Sequence, residues 1–156
     1  MIEKTELLEQ NAFNVVGISV RTINKDGRSQ QDIWALFNDF FGDNIAQQIN
    51  DKTSDDIYCV YTDYETDHTG YYTAILGCRV ATLTRVPDGF TAVTIPAGIY
   101  RHYTVRGALP ESVGKAWMQI WETASARKFT ADYDVYGAGA QNPEDAEMDI
   151  YVAVSI

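Results

Sequence analysis

Two short triplets in the second half of the sequence combine a carboxylate with a tyrosine two residues later. They are Asp134-Val135-Tyr136 and Asp149-Ile150-Tyr151. Tyrosine rings attract cations through the negative faces of their π systems, and a partly desolvated carboxylate adds direct charge pairing. An ordinary solvent-exposed sheet face has the same spacing and is the alternative interpretation. The chemistry that these residue types favour is the binding of a lipophilic cation.

The period of two along a β-strand predicts that these four side chains share one face of a sheet. In the closing strand, apolar residues alternate with Asp149 and Tyr151, and the apolar set is expected to face the helices. In the partner strand, Tyr133 is then expected to face the helices, while Asp134 and Tyr136 join Asp149 and Tyr151. The predicted result is an acidic and aromatic surface on the side of the sheet away from the helices, or in a groove between the two halves.

Similarities between the two halves add further residues to this candidate site. Residues 57–61 resemble residues 132–136, so Cys59 and Tyr61 match the first acidic triplet, and Leu76 matches the second. Trp117 lies on a predicted helix and either reaches the edge of the site or belongs to the core. The candidate ligand-binding residues are therefore Asp134, Tyr136, Asp149, Tyr151, Trp117, Tyr61, Cys59 and Leu76.

Chemistry that needs other residue types has no support in the sequence. His68 and His102 lie far apart, without cysteines or carboxylates at zinc-like spacing. Neither a nucleophile-elbow motif nor a phosphate-binding glycine loop occurs in the required context. Cys59 and Cys78 are interpreted as reduced, buried thiols. We therefore expect no metal, no cofactor and no catalytic residue.

Composition excludes several classes of protein. The 156 residues include 12 Lys and Arg against 22 Asp and Glu, a net charge of −10, and 10 tyrosines. A chain of this charge repels polyphosphate, so direct binding to nucleic acid is not expected. The sequence has no apolar run of the ~20 residues that span a membrane, and its N-terminus has no secretory signal. We expect a cytoplasmic protein that does not associate with membranes.

The order of the predicted elements indicates an internal duplication. We predict an α+β fold in which duplicated strand-helix-hairpin (βαββ-type) units form one antiparallel sheet, with two helices on one face and a ligand groove between the halves. One domain covers residues 1–156, with pseudo-repeats at about 1–86 and 87–156, and the acidic N-terminal segment is interpreted as solvated charge. Predicted strands cover residues 13–22, 57–63, 71–80, 90–95, 99–105, 133–136 and 147–156, and predicted helices cover 32 to about 48 and 109–124.

Four segments resemble the GyrI-like effector-binding domain, the ligand-binding module of some AraC-type and MerR-type multidrug regulators. They are residues 89–100, which include Ile95-Pro96-Ala97-Gly98-Ile99-Tyr100, and residues 117–121, 132–136 and 148–154. The resemblance implies a two-fold βαββ fold whose central groove binds small, often cationic aromatic ligands. Members of that family carry a glutamate in a Glu-x-Tyr strand, where both triplets here have Asp. Asp134, Asp149 and, with a shifted register, Glu147 stay open as the acid of the pocket.

Three functions follow from this resemblance. The regulators carry a helix-turn-helix region before the module and this sequence begins almost directly at it, so we expect a stand-alone binding module rather than a transcription factor acting alone. Some stand-alone relatives resemble hydrolases of cyclopropane-containing alkylating agents, and others resemble gyrase-interacting proteins. Binding is favoured over turnover, with a small cationic aromatic molecule as the ligand. The physiological ligand, a protein partner and a homodimer stay open.

Overall fold

A curved antiparallel sheet of eight strands forms the body of the protein, and the computed structural model describes residues 1–155. Helices cover one of its faces, which confirms the predicted α+β class with one antiparallel sheet. The strands are β1 (Ile2–Gln10), β2 (Phe13–Ile23), β3 (Ile57–Thr62), β4 (Tyr71–Val80), β5 (Thr91–Ile95), β6 (Gly98–Gly107), β7 (Ala131–Tyr136) and β8 (Ala146–Ala153). The helices are α1 (Arg28–Gly42), α2 (Ile45–Gln48), α3 (Glu111–Thr123) and a 3₁₀ turn at Ala138–Ala140.

The order of the strands is symmetric about the centre of the sheet. It runs β1-β6-β8-β7-β3-β4-β2-β5, so β7 and β3, the strands that follow the main helices, pair at the centre. The outermost strands are exchanged between the halves, because β1 pairs with β6 and β5 pairs with β2. The N-terminal segment, which the sequence analysis interprets as solvated charge, is therefore an edge strand. Its acidic side chains point to solvent, while Ile2 and Leu8 pack inward.

Two connections of only two residues each, β1 to β2 and β5 to β6, force the sheet to curl. Only two residues join Gln10 at the end of β1 to Phe13 at the start of β2, a reach of at most about 11 Å. In a flat sheet, six strand spacings would hold β1 and β2 about 29 Å apart. The curled sheet brings the Phe13 ring to 5.2 Å from that of Tyr133. The face away from the helices, expected to be free, is therefore mostly a second core. Its buried residues are Phe13, Val15, Tyr58, Val60, Ile75, Ile95, Tyr100, Ala131, Tyr133 and Ala153.

Apolar residues at helical spacing attach the two long helices to the other face. In α3, Ala116, Trp117 and Ile120 are buried against β6 and β8. In α1, Leu36 and Phe40 are buried over β2 and β4. The first helix ends at Gly42 rather than near Gln48, because Asn44 has a left-handed backbone (φ 53°) before the short α2 begins.

The closing strand ends earlier than its apolar pattern predicts. Ile156, the last residue of the predicted strand, lies outside the described residues, and β8 ends at Ala153. Within residues 1–155, no helix combines the length and the apolar composition that a bilayer crossing requires.

Candidate functional site

A groove of about 1350 Å³ lies on the helix side of the sheet, between α1 and α3. Its walls come from the facing sides of the two helices, and β3 and β7 supply residues beneath them. Because both helices turn aromatic side chains toward each other, the lining is largely apolar. The aromatic residues of the lining are Trp34, Phe37, Phe41, Tyr61, Tyr64, His68, Tyr72, Trp117, Trp121 and Tyr136.

The rings at the bottom of the groove pack edge to face. The rings of Tyr61 and Trp117 are 5.3 Å apart at 76°, and those of Phe37 and Tyr136 are 5.8 Å apart at 90°. Edge-to-face contacts are the preferred geometry of aromatic pairs and restrain each ring. The groove therefore has a floor of ordered aromatic faces rather than a flexible apolar surface.

Asp134 of β7 lies directly under this floor and is completely buried. Its carboxylate accepts hydrogen bonds from the Tyr61 hydroxyl at 2.6 Å and from the Trp117 indole nitrogen at 3.0 Å. The Tyr136 hydroxyl lies at a longer 3.4 Å. Burial raises the pKa of Asp134 to about 7, although the three hydrogen bonds act in the opposite direction. Among residues 1–155, no cationic side chain forms an ion pair with Asp134.

Asp132 lies two residues earlier on the same face of β7 and is also completely buried. Unlike Asp134, it has a cationic partner, because the Nη2 atom of Arg127 donates to its Oδ2 at 2.7 Å. The Tyr64 hydroxyl at 2.6 Å and the backbone N–H of Ala153 at 2.8 Å complete its surroundings. The floor of the groove thus holds one neutralised carboxylate and one without a counter-charge.

The structure brings together four of the eight predicted site residues. Tyr61, Trp117 and Tyr136 line the groove, and Asp134 supports all three from below. Cys59 and Leu76 are on the same face of the sheet, because Cys59 lies directly opposite both Asp134 and Leu76 in the strand pairings. Both are buried in the core with α1 and do not line the groove.

The prediction that Asp149 and Tyr151 share a face with Asp134 is wrong. In the β7–β8 pair, Asp134 lies opposite Ile150, and Tyr133 lies opposite Tyr151. Opposite residues of an antiparallel pair point to the same side, so Asp134 faces the helices with Ile150, and Tyr133 faces away from them.

Asp149 and Tyr151 belong to a separate cluster on that far face. Asp149 contacts the Nε2 atom of His102 at 2.7 Å, and the ring of Tyr151 stacks between those of His102 and Tyr133, at 4.5 and 4.7 Å. Glu147, the open alternative for the pocket acid, lies near Arg106, with 3.6 Å between its Oε2 atom and Nη1.

The groove also contains residues that sequence reasoning missed. Helical spacing predicts that the aromatic stripes of both helices are core, yet Trp34 is 66 % exposed and Phe41 is 61 % exposed at the mouth of the groove. The signal in the sequence is that four aromatic residues fall within eight positions of α1, and only one of them, Phe40, is buried in the core. Arg127 and Tyr64 come from irregular segments where no periodicity exists. Within residues 1–155, no cluster of His, Cys, Asp or Glu side chains suits a metal ion.

Residues 6–154 match the profile of a family described as integron-associated effector binding protein, Cass2. Among curated proteins, the chain is 29% identical over 143 residues to YobU of Bacillus subtilis (strain 168), a candidate transcriptional regulator. The match covers 88% of this chain and 89% of YobU.

Two solved structures have the same fold. One is an integron cassette protein of Vibrio cholerae, with a TM-score of 0.77, 25% identity, and coverage of 99% of this chain and 97% of the other. The second is SAV2435, solved bound to tetraphenylphosphonium, with a TM-score of 0.81, 16% identity, and coverage of 98% and 94%.

Proposed function

The chain belongs to the Cass2 family of integron-associated effector binding proteins, and we propose that it binds small lipophilic cations in the groove between α1 and α3. The family match and the fold together confirm the predicted resemblance to the effector-binding module. The single observation that carries the ligand class is Asp134, a buried carboxylate beneath aromatic rings that has no cationic partner among residues 1–155.

A buried carboxylate without a counter-charge favours a cation for a simple electrostatic reason. Removing the charge of Asp134 from water costs free energy, and a cation seated on the rings above it recovers part of that cost. Tyr61 and Trp117 donate to the carboxylate from groups at the edges of their rings, so these hydrogen bonds do not occupy the ring faces. The cation therefore gains both ring-face attraction and the field of the charge below.

The shape of the groove favours a bulky ligand with aromatic substituents. Pockets for drug-sized molecules usually have volumes of about 300 to 1000 Å³, and this groove is larger. Its lining offers mainly ring faces, which accept ligands of different outlines without fixed hydrogen-bond geometry. The bulky cation tetraphenylphosphonium, which is bound in the structure of SAV2435, has these properties and supports the same ligand class here.

Calorimetric titration with tetraphenylphosphonium tests the proposal. The wild-type protein should bind it saturably, and Asp134→Asn should weaken binding about tenfold or more at pH 8, because it removes the charge beneath the rings. Asp149→Asn is the matched control, since the same change on the far face should leave affinity within about twofold. Absence of saturable binding up to millimolar ligand, or equal losses in the two variants, would contradict the proposal.

The alternative functions have less support in the site. A hydrolase would use Asp134 to activate water, but both carboxylate oxygens already accept hydrogen bonds from groove side chains. A protein-interaction role depends on the negative charge of the whole surface and on no particular contact. We therefore propose binding without turnover, and incubation with a cyclopropane-containing alkylating agent should yield no hydrolysis product.

A further inference from the structure

A second polar centre lies beside the aromatic floor of the groove. It consists of Arg127, which lines the groove, together with Asp132 and Tyr64. The side chain of Arg127 is only 4% exposed, and that of Asp132 is fully buried. Asp132 balances the charge of Arg127, but this ion pair uses only one of the three guanidinium nitrogens.

In this centre Asp132 has all of its hydrogen-bond partners, whereas Arg127 does not. Asp132 accepts from three donors, namely the Tyr64 hydroxyl, the backbone N–H of Ala153 and Nη2 of Arg127, so its oxygens are occupied. The Nε and Nη1 atoms of Arg127 are buried and have no acceptor among residues 1–155. Leaving a buried charged donor without an acceptor is unfavourable, and a ligand that supplies the acceptor recovers that loss.

Aromatic rings hold the guanidinium group in a fixed orientation. Its Cζ atom lies 4.3 Å from the centre of the Phe129 ring and 5.7 Å from that of Trp117. The ion pair with Asp132 fixes one edge of the planar group. Both forks of a guanidinium group include Nη2, which is already bonded to Asp132, so Nε and Nη1 can each offer only a single hydrogen bond to a carbonyl or carboxylate oxygen.

The spacing of Asp132 and Asp134 along β7 places the two polar centres side by side. Asp132 and Asp134 are two residues apart on one face of β7, which places their Cα atoms about 7 Å apart. Trp117 contacts both centres, since its indole nitrogen donates to Asp134 and its ring lies near Arg127. A ligand that covers Trp117 can therefore reach both centres at once.

We propose that Arg127 is a second anchor, which selects among lipophilic cations those that also carry a hydrogen-bond acceptor, a carbonyl or carboxylate oxygen, on a short arm from the positive centre. This inference rests on the proposed function. Because neither free nitrogen of Arg127 is exposed to solvent, the acceptor reaches one of them by displacing the ring of Phe129, which lies 4.3 Å from the guanidinium, while Trp117 keeps its place in the floor. The physiological ligand class is thus an amphiphilic cation with one acceptor group, rather than a hydrocarbon-substituted cation alone.

A matched pair of probes tests this selectivity. Pentyltriphenylphosphonium and (4-carboxybutyl)triphenylphosphonium share the cation and differ in an acceptor at the end of a chain of similar length. We would measure both dissociation constants by calorimetry at pH 8 in the wild type, in Arg127→Lys and in Asp134→Asn. The preference for the carboxylate probe should fall about tenfold in Arg127→Lys, which keeps the positive charge but removes the Nε and Nη1 donors. Asp134→Asn should weaken the binding of both probes, and at least part of the preference for the carboxylate probe should remain.

The outcomes separate the two proposals. If neither probe binds the wild type, the proposed function fails. If both bind and Arg127→Lys leaves their affinity ratio unchanged, only the role of Arg127 is overturned. Binding of the pentyl probe reports an intact groove in each variant. Where Arg127→Lys weakens that probe as well, Arg127→Gln combined with Asp132→Asn removes both charges together, and an unchanged ratio there also overturns the inference.

Discussion

The buried carboxyl group of Asp134 makes cation binding depend on pH near neutrality. Burial raises its pKa to about 7, whereas a carboxyl group in water titrates near 3.8. Tetraphenylphosphonium carries a permanent charge and no titratable proton, so any pH dependence of its binding comes from the protein. The ligand should prefer the ionised form of Asp134, and binding should release a proton wherever that group is protonated beforehand.

The size of the effect follows from the position of Asp134 one ring below the groove. A cation on the face of Tyr61 or Trp117 would lie about 7 Å from the carboxylate, which gives an attraction of about 2 kcal/mol at an effective dielectric constant of about 20. This attraction lowers the pKa of Asp134 in the complex to about 5. Affinity should then rise about eightfold to tenfold from pH 6 to pH 8 and level off above pH 8.

Calorimetry in two buffers of different ionisation enthalpy measures the affinity and the proton release together. Binding should release about 0.8 proton at pH 6 and about 0.1 proton at pH 8. Asp134→Asn should show weak binding without pH dependence, because the titrating group is gone. Affinity that stays constant from pH 6 to pH 8 in the wild type, or a slope that survives in Asp134→Asn, would rule out this electrostatic coupling.

Three further predictions concern stability and the tuning of the site. The pKa of Asp134 is higher in the folded protein than in the unfolded chain, so its contribution to stability is fully present below pH ~3.8 and is lost as the pH rises through about 7. The free energy of unfolding of Asp134→Asn relative to the wild type should therefore be about 2 to 3 kcal/mol higher at pH 8 than at pH 5, in denaturant titrations at the two pH values; a difference that is equal at both would contradict this assignment. Trp117→Phe removes a hydrogen bond that lowers the pKa of Asp134, so the midpoint of the pH dependence of binding should move upward, and a downward shift would count against it. Gly17→Ala would place its Cβ atom 2.0 Å from the backbone oxygen of Leu76 where β2 and β4 meet, and should destabilise the fold by about 3 kcal/mol or more. Gly114→Ala, in the first turn of α3 with open space around it, is the control and should be neutral or stabilising by up to about 1 kcal/mol; thermal unfolding can compare the two variants.

The site residues show what the periodicity within single helices and strands can predict. Asp134, Tyr136, Tyr61 and Trp117 can be selected from the sequence because each element carries a short period that sorts its side chains into faces. Which face of one strand matches which face of the next depends on the register between them. A loop of nine residues separates β7 from β8, and a one-residue change in that register exchanges the two faces. The sequence does not state the register, and for this reason it predicts the wrong partners for Asp149 and Tyr151.

The positions of residues in irregular segments cannot be predicted from sequence periodicity. Arg127 lies between α3 and β7, and only the folded chain shows that it pairs with Asp132 and lies near Trp117. The N-terminal strand escapes prediction for a related reason. Its charged side chains hide the alternation, and pairing with β6, about a hundred residues away, holds it in extended form.

The α+β class, the two amphipathic helices and the family can all be inferred from the sequence, because they depend on periodicity and on short motifs within single elements. The acidic, tyrosine-rich triplets likewise indicate cation chemistry through their residue types alone. The burial of Asp134 under the aromatic floor, and the position of Asp149 on the other side of the sheet, emerge only when the chain is folded. Burial, charge pairing and pKa depend on what surrounds a side chain in space, and in this curled sheet those surroundings come from strands and helices that are distant along the chain.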